Sequence, residues 1–230
     1  MKAISPMYLT GGVAVFLLGG FGLIAAEVVE GDTMNVDMGV LMALRTPGNL
    51  AAPIGPAWLP EAARDITGLG SFSVLGIVVI VVVILLLLTK RARIAWFLAA
   101  SVIAGTIAST VLKIMFDRPR PQLAGVPKVF TASFPSGHAT LSAVVYLTLG
   151  TLLALWVQER QLKVFYLVVA VFMTMIVGIS RIYLGVHYPT DVLAGWSLGG
   201  AWALLTGMGA YALGIHSTAK NLPNGALSNG

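Results

Sequence analysis

Long apolar stretches joined by short polar turns make up most of the chain. Six of them, at about 7–26, 71–89, 94–115, 139–158, 164–184 and 192–213, approach the roughly 20 residues that a helix needs to cross a bilayer. The second is the plainest, because 74–88 is an almost unbroken run of Val, Ile and Leu. Its β-branched content would also suit a strand, but its length, its lack of alternation and its basic flank predict a helix. The first stretch has the look of a signal peptide, with Lys2 ahead of an apolar core. It runs on through 13–26 into Glu27-Val28-Val29-Glu30 without a small-residue cleavage site, so it is read as a spanning helix. Between the first two stretches, 27–70 is long for a connector and is broken by Pro47, Pro53, Pro56 and Pro60. Pro60 suits the first turn of a short helix lying at the interface; a plain connector is the alternative. Small residues at Ser101, Gly105 and Ser109, and at Gly195 and Gly199, recur every fourth position and predict close helix contacts.

Composition supports the membrane reading. The chain is 57% hydrophobic and 10% charged, with a mean hydropathy of +0.90, whereas a soluble domain carries about 25% charged residues. The absence of cysteine excludes disulfides, zinc–thiolate sites and thiol catalysis. A net charge of +5 would point a soluble chain toward nucleic acid. Here the basic residues are accounted for by topology and by the clusters at the helix ends, so no nucleic-acid partner is expected. Lys90, Arg91 and Arg93 fall between the second and third stretches, and Arg160 and Lys163 between the fourth and fifth. With Lys2 and Lys220 they predict both termini in the cytoplasm. The expected fold is all-α: one polytopic domain over 1–213, a six-helix membrane bundle with a short extracytoplasmic interfacial helix. A disordered cytoplasmic tail is expected over 214–230.

Three clusters of ionisable residues then fall at the extracytoplasmic helix ends, where such groups are costly and point to function. The first is Lys113 followed by Asp117-Arg118-Pro119-Arg120-Pro121. Two X-Pro steps take the chain out of the helix and turn Arg120 back toward Lys113. Snorkelling would explain one basic residue there but fits several held by prolines less well. The second is Pro135-Ser136-Gly137-His138, opening the fourth helix after the polar link Thr131-Ala132-Ser133. The N–H groups of a helix start bind anions, and Gly137 permits close approach. Ser136 either donates to such an anion or caps the helix. The third is Ser180-Arg181 followed by Gly185-Val186-His187-Tyr188-Pro189-Thr190-Asp191. Asp191 lies one turn beyond His187 and can fix its tautomer, leaving one ring nitrogen free to attack. Glu27, Glu30, Asp32 and Asp37 could in principle hold a cation, but a solvated loop is the better reading; His216 is expected on the far face. No metal site and no cofactor are expected.

The three clusters in this order resemble the signatures of the type-2 phosphatidic acid phosphatase family, integral membrane lipid phosphatases related to vanadium haloperoxidases. The match runs as Lys113-(six residues)-Arg120-Pro121, Pro135-Ser136-Gly137-His138, and Ser180-Arg181-(five residues)-His187-(three residues)-Asp191. The resemblance implies metal-independent dephosphorylation of a membrane lipid phosphate through a phosphohistidine. In that scheme Lys113, Arg120 and Arg181, with Ser136 and Gly137, bind the phosphoryl oxygens. His187 attacks, Asp191 orients it, and His138 serves the leaving group and then water. Arg118, Thr67, Gly68 and Ser71 are secondary candidates: Arg118 for the headgroup or merely the surface, the others for the border of the site. Undecaprenyl diphosphate, phosphatidylglycerophosphate, phosphatidic acid, diacylglycerol pyrophosphate and lipid A-type phosphates all fit, and the minimal loops favour a bacterial inner membrane. Phosphotransfer to a second lipid is the close alternative, with a transporter or a non-catalytic lipid binder further off.

Overall fold

The structure, a computed structural model, describes residues 6–126 and 131–215. Lys2, Lys128, His216, Lys220 and the expected tail from 216 onward lie outside the described residues. The elements run α1 (Pro6–Glu30), α2 (Met34–Ala43), β1 (Arg45–Thr46), β2 (Asn49–Pro53), α3 (Trp58–Gly68), α4 (Phe72–Leu88) and α5 (Ala92–Phe116). They continue as α6 (Gly137–Ser142), a π-helical turn (Ala143–Leu147), α7 (Thr148–Trp156), α8 (Arg160–Tyr183) and α9 (Pro189–Ala212). The helical fold class is as expected, and α6, the π turn and α7 form one continuous 20-residue apolar helix.

By length and hydropathy, four helices in the described residues can cross a membrane: α1, α5, α6–α7 and α8. The pair α3–α4, bent by 45°, makes a fifth if it acts as one span. At 25 residues α5 extends about 37 Å, enough for a hydrocarbon core of about 30 Å. The sixth expected stretch is the 24-residue α9, which does not qualify on its own. It sits inside the bundle and is rich in Gly and Ala, so its environment is protein and it needs less apolar bulk.

Small residues set how close its neighbours come. A Cβ on Gly195 would lie 2.9 Å from both the Ala139 Cβ and the Ser136 carbonyl oxygen, and one on Gly200 would lie 3.2 Å from Leu17 of α1. Gly199 backs onto Ala143 and the Thr140 carbonyl in the same way. On α5, a Cβ at Gly105 would meet Val144 at 3.0 Å, and Ser101 bonds Thr206 at 2.8 Å. The fourfold spacing read from sequence therefore does mark the helix contacts.

The segment 27–70 is more structured than expected. Helix α1 runs on to Glu30, α2 follows, and a short antiparallel hairpin turns at Gly48, whose φ of +81° lies in the left-handed region. Helix α3 then packs Ala63 inward with Trp58 exposed, so a short helix rather than a plain connector is present, with Pro60 in its first turn. Glu27, Glu30 and Asp32 are exposed as expected, but Asp37 is not: it is fully buried. At the other end, Gly214 turns the chain with φ +68° and Ile215 packs beside Leu98 and Leu152. These two residues belong to the bundle rather than to a tail.

Candidate active site

The C-terminal ends of α5 and α8 and the N-terminal ends of α6 and α9 meet at one end of the bundle. Their convergence brings the three motifs together although they are up to 78 residues apart in sequence, from Lys113 to Asp191. Asp117, with φ +41°, ends α5, and Arg118-Pro119-Arg120-Pro121 leaves without regular secondary structure. Lys113, on the last turn of α5, donates from Nζ to the Ala132 carbonyl at 2.7 Å. Arg120 donates from Nε to the Thr131 carbonyl (2.8 Å), from Nη2 to Thr131 Oγ1 (3.0 Å) and from Nη1 to the Val186 carbonyl (2.9 Å). The same Nη1 lies 3.1 Å from His187 Nε2.

His187 is 1% exposed, on the turn between α8 and α9. Its Nδ1 lies 3.3 Å from both Asp191 Oδ2 and Ser133 Oγ, while Ser133 Oγ donates to the same carboxylate oxygen. Acceptors gathered on that side hold the proton on Nδ1 and leave the Nε2 lone pair facing Arg120 and the cations. Burial drives the His187 pKa down to about 3; Asp191 opposes that shift and Arg120 and Arg181 reinforce it. The imidazole is therefore neutral at physiological pH, the state a nucleophile requires.

This depression predicts an acid sensitivity. The unfolded chain takes up the His187 proton near pH 6.5, whereas the folded chain resists it until about pH 3. Between those values the unfolded state binds more protons, so stability is full above pH 6.5 and falls as the pH drops. Thermal unfolding in detergent between pH 7 and pH 4 should show a decline in midpoint that is shallower in His187→Ala. Parallel declines would contradict the assignment.

Asp191 is the hub of the site. Its Oδ1 accepts from Arg118 Nη1 at 2.6 Å, and its Oδ2 accepts the Tyr188 N–H at 2.9 Å, reaching back to the residue that starts α9. Its backbone carbonyl accepts the Ser136 N–H at 2.9 Å, tying the start of α6 to that of α9. Arg118 is 7% exposed, so neither the headgroup contact nor the surface role expected for it describes it. Its guanidinium bridges Asp191 and Asp37, the latter at 2.8 Å from Nη2, and lies 4.2 Å from the Tyr188 ring centroid. Breaking a buried pair of this kind by removing one partner costs about 3–5 kcal/mol.

The remaining expected residues divide. Ser136 is fully buried and its Oγ accepts weakly from the Ala139 N–H at 3.5 Å, which is the capping geometry. Gly137 backs onto Lys113, with Cε 3.7 Å from where a Cβ would stand. His138 is half-buried and lies within reach of the charges of Arg181, Arg120 and Lys113. Arg181 Nη1 donates to Thr67 Oγ1 at 3.0 Å, so Thr67 borders the site; its Nε is buried with no partner among the described residues. Ser71 instead caps α4, accepting from the Val74 N–H at 3.3 Å, and Gly68 closes α3. Among the described residues no group of three or more His, Cys, Asp or Glu side chains gathers as metal ligands would. Sequence reasoning missed Ser133, Thr131, Thr190 and Asp37. The polar link before Pro135 hinted at the first two, but nothing in the pattern at Asp37 pointed to this site.

A family model described as the PAP2 superfamily matches residues 94–211, which contain every motif residue above. The chain is 33% identical over 193 residues to the phosphatidylglycerophosphatase B of Bacillus subtilis, covering 81% of this chain and 88% of that one. It is 26% identical over 183 residues to a lipid A 1-phosphatase of Rhizobium etli, covering 67% and 75%. Its fold superposes with a TM-score of 0.76, at 28% identity, on a crystal structure described as the first transmembrane PAP2-type phosphatidylglycerolphosphate phosphatase from Bacillus subtilis, over 88% of this chain and 96% of that one. The chain belongs to the PAP2 superfamily. It is an integral membrane phosphoric ester hydrolase of the lipid phosphatase type.

Proposed function

We propose that the enzyme hydrolyses a membrane lipid phosphate or diphosphate without a metal, through a phosphohistidine on His187. The observation that carries this reading is the Arg120 guanidinium on Nε2 of a neutral histidine whose other nitrogen is held by Ser133 and Asp191, with Arg181 and Lys113 gathered at the same end of the bundle. Fixed cations stabilise the charge on a transferring phosphoryl group, and phosphoryl transfer depends largely on such positioning. An incoming phosphoryl oxygen takes over the Arg120 Nη1 hydrogen bond from His187 Nε2 and accepts from the buried Arg181 Nε. Backbone N–H groups at the α6 start add donors, with Gly137 keeping the approach open.

Nε2 then attacks phosphorus and the bond to the leaving oxygen breaks, with His138 supplying a proton to that oxygen, so that the lipid departs as an alcohol from a monophosphate or as a lipid monophosphate from a diphosphate. In the second step water attacks the phosphohistidine, His138 accepts its proton, and the N–P bond breaks to release phosphate. Asp191 stabilises the positive charge on the His187 ring while it carries the phosphoryl group.

A groove of about 500 Å³ between α4 and α5, walled by Leu75, Val79, Ile103 and Val145 among others, supports a lipid substrate by offering apolar cover to its chains below the site. The basic residues between α4 and α5 and at the start of α8 lie at the opposite end of the bundle, and Arg91 stacks on Trp156 there. Under the positive-inside rule, that end faces the cytoplasm and the site faces outward, in a bacterial inner membrane, with α9 as the sixth span.

Phosphatidylglycerophosphate leads among substrates because a relative matched over 81% of this chain and 88% of its own length is named a phosphatidylglycerophosphatase. The test is phosphate release by purified protein in EDTA across phosphatidylglycerophosphate, undecaprenyl diphosphate, phosphatidic acid and a lipid A 1-phosphate. Release that persists in EDTA, is blocked by vanadate and is fastest on phosphatidylglycerophosphate is expected. Activity restored only by an added divalent cation would overturn the metal-independent scheme, and phosphate passed to a second lipid would mark a transferase.

A further inference from the structure

The family model begins at residue 94, yet the buried carboxylate nearest the site's hub on the far side of Arg118 comes from α2, at Asp37. Asp37 is 0% exposed and spends both oxygens on the site's framework. Its Oδ1 accepts the Thr190 N–H at 3.0 Å, and its Oδ2 accepts Thr190 Oγ1 at 2.6 Å and Arg118 Nη2 at 2.8 Å. Arg118 is held from every side in turn. Nη1 binds Asp191 Oδ1 and Thr190 Oγ1, Nη2 binds Asp37 Oδ2 and Thr33 Oγ1, and the plane stacks on Tyr188.

From this geometry we infer that Asp37 is a positioning residue for the reaction, acting through Arg118 on the Asp191 carboxylate and so on His187. The inference rests on the His187–Asp191 reading proposed above. Two physical effects carry it. The first is orientation: Asp37 fastens the first turn of α9 at Thr190, the residue beside Asp191, and fixes the guanidinium that fixes Oδ1. The second is charge. Arg118 with Asp191 alone would be a neutral pair with little left to offer the His187 ring. A second carboxylate makes the cluster net negative, so Asp191 keeps its attraction for the positive charge that develops as the N–P bond forms. Outer partners of metal-bound histidines cost about 10- to 100-fold when removed, and the same scale is expected behind a nucleophilic histidine.

The experiment is a double-mutant cycle on the full-length protein in detergent, reading kcat and KM for phosphate release from a lipid phosphate, with His187→Ala alongside. Asp37→Asn keeps the size and one acceptor. It should lower kcat about 10- to 100-fold and leave KM within about twofold, because phosphate binding belongs to other residues. In an Arg118→Gln background, Asp37→Asn should add no further loss, since the link through which it acts is gone. A purely structural role would give losses that follow the thermal midpoint and the fraction of folded protein, with kcat per folded enzyme unchanged. That result, or an unchanged kcat in Asp37→Asn, overturns the inference. If Asp37→Asn does not assemble, Thr190→Val removes one bond to Asp37 and one to Arg118, and the same split between kcat and KM decides. An inactive His187→Ala beside a fully active Asp37→Asn sinks the role of Asp37 alone; an active His187→Ala sinks the reading beneath it.

Discussion

His187→Ala should release phosphate from no lipid substrate above background, a fall on the order of 1,000-fold or more. Among the described residues the other candidates near the cations are engaged: Thr131 Oγ1 accepts from Arg120 and Thr67 Oγ1 from Arg181. Ser133 Oγ is occupied by Asp191, Ser136 is buried as a cap, and His138 is the group left to move protons. Because the ring is buried, His187→Gln serves as a size-matched control for lost packing. Both variants should migrate as the wild type in detergent while losing turnover. Full activity in either would remove the nucleophile from the account.

Asp191→Asn should lower kcat about 1,000-fold or more, on the model of a buried carboxylate that fixes a histidine tautomer. The reason is a mismatch of donors. The carboxylate accepts from Arg118, Ser133 and the Tyr188 N–H and faces His187 Nδ1. An amide can present only one oxygen to these donors and must turn its NH2 toward the rest. If the NH2 faces Nδ1, the ring proton moves to Nε2 and the attacking lone pair is lost. If it faces Arg118, two donors meet at the most buried point of the site. Either way turnover falls, and the second arrangement also lowers the thermal midpoint. Unchanged kcat in a folded Asp191→Asn would show that the tautomer is held by Ser133 instead.

These two effects rest on residues that the chain announces. Lys113, Arg120, His138, Arg181, His187 and Asp191 stand at the ends of apolar stretches, where the cost of a charge makes each conspicuous, and the structure gathers them at one end of the bundle. The helices were legible for the same reason, since a continuous apolar run has few other fates. Asp37 was not. It lies in a segment of mixed polarity where the neighbouring Glu27, Glu30 and Asp32 are exposed, and only the fold of α2 against the start of α9 separates it from them. Arg118 was misread because burial depends on partners from α2 and α9 that local sequence cannot supply. The hairpin at Arg45–Pro53 escaped because its strands are short and its turn was hidden among prolines. The count of spans was blurred by α9, whose small residues answer to packing inside the bundle rather than to lipid.

The claim that most needs testing is the covalent one. In His138→Ala, an aryl phosphate with a good leaving group needs no acid for the first step but still needs a base for the second, so the intermediate should accumulate. Acid-labile, base-stable phosphate bound to the protein, near one per chain and located at His187 by mass spectrometry of a neutral digest, is the predicted result. Phosphate release with no covalent phosphate on the protein, or with the label on any other residue, would contradict it.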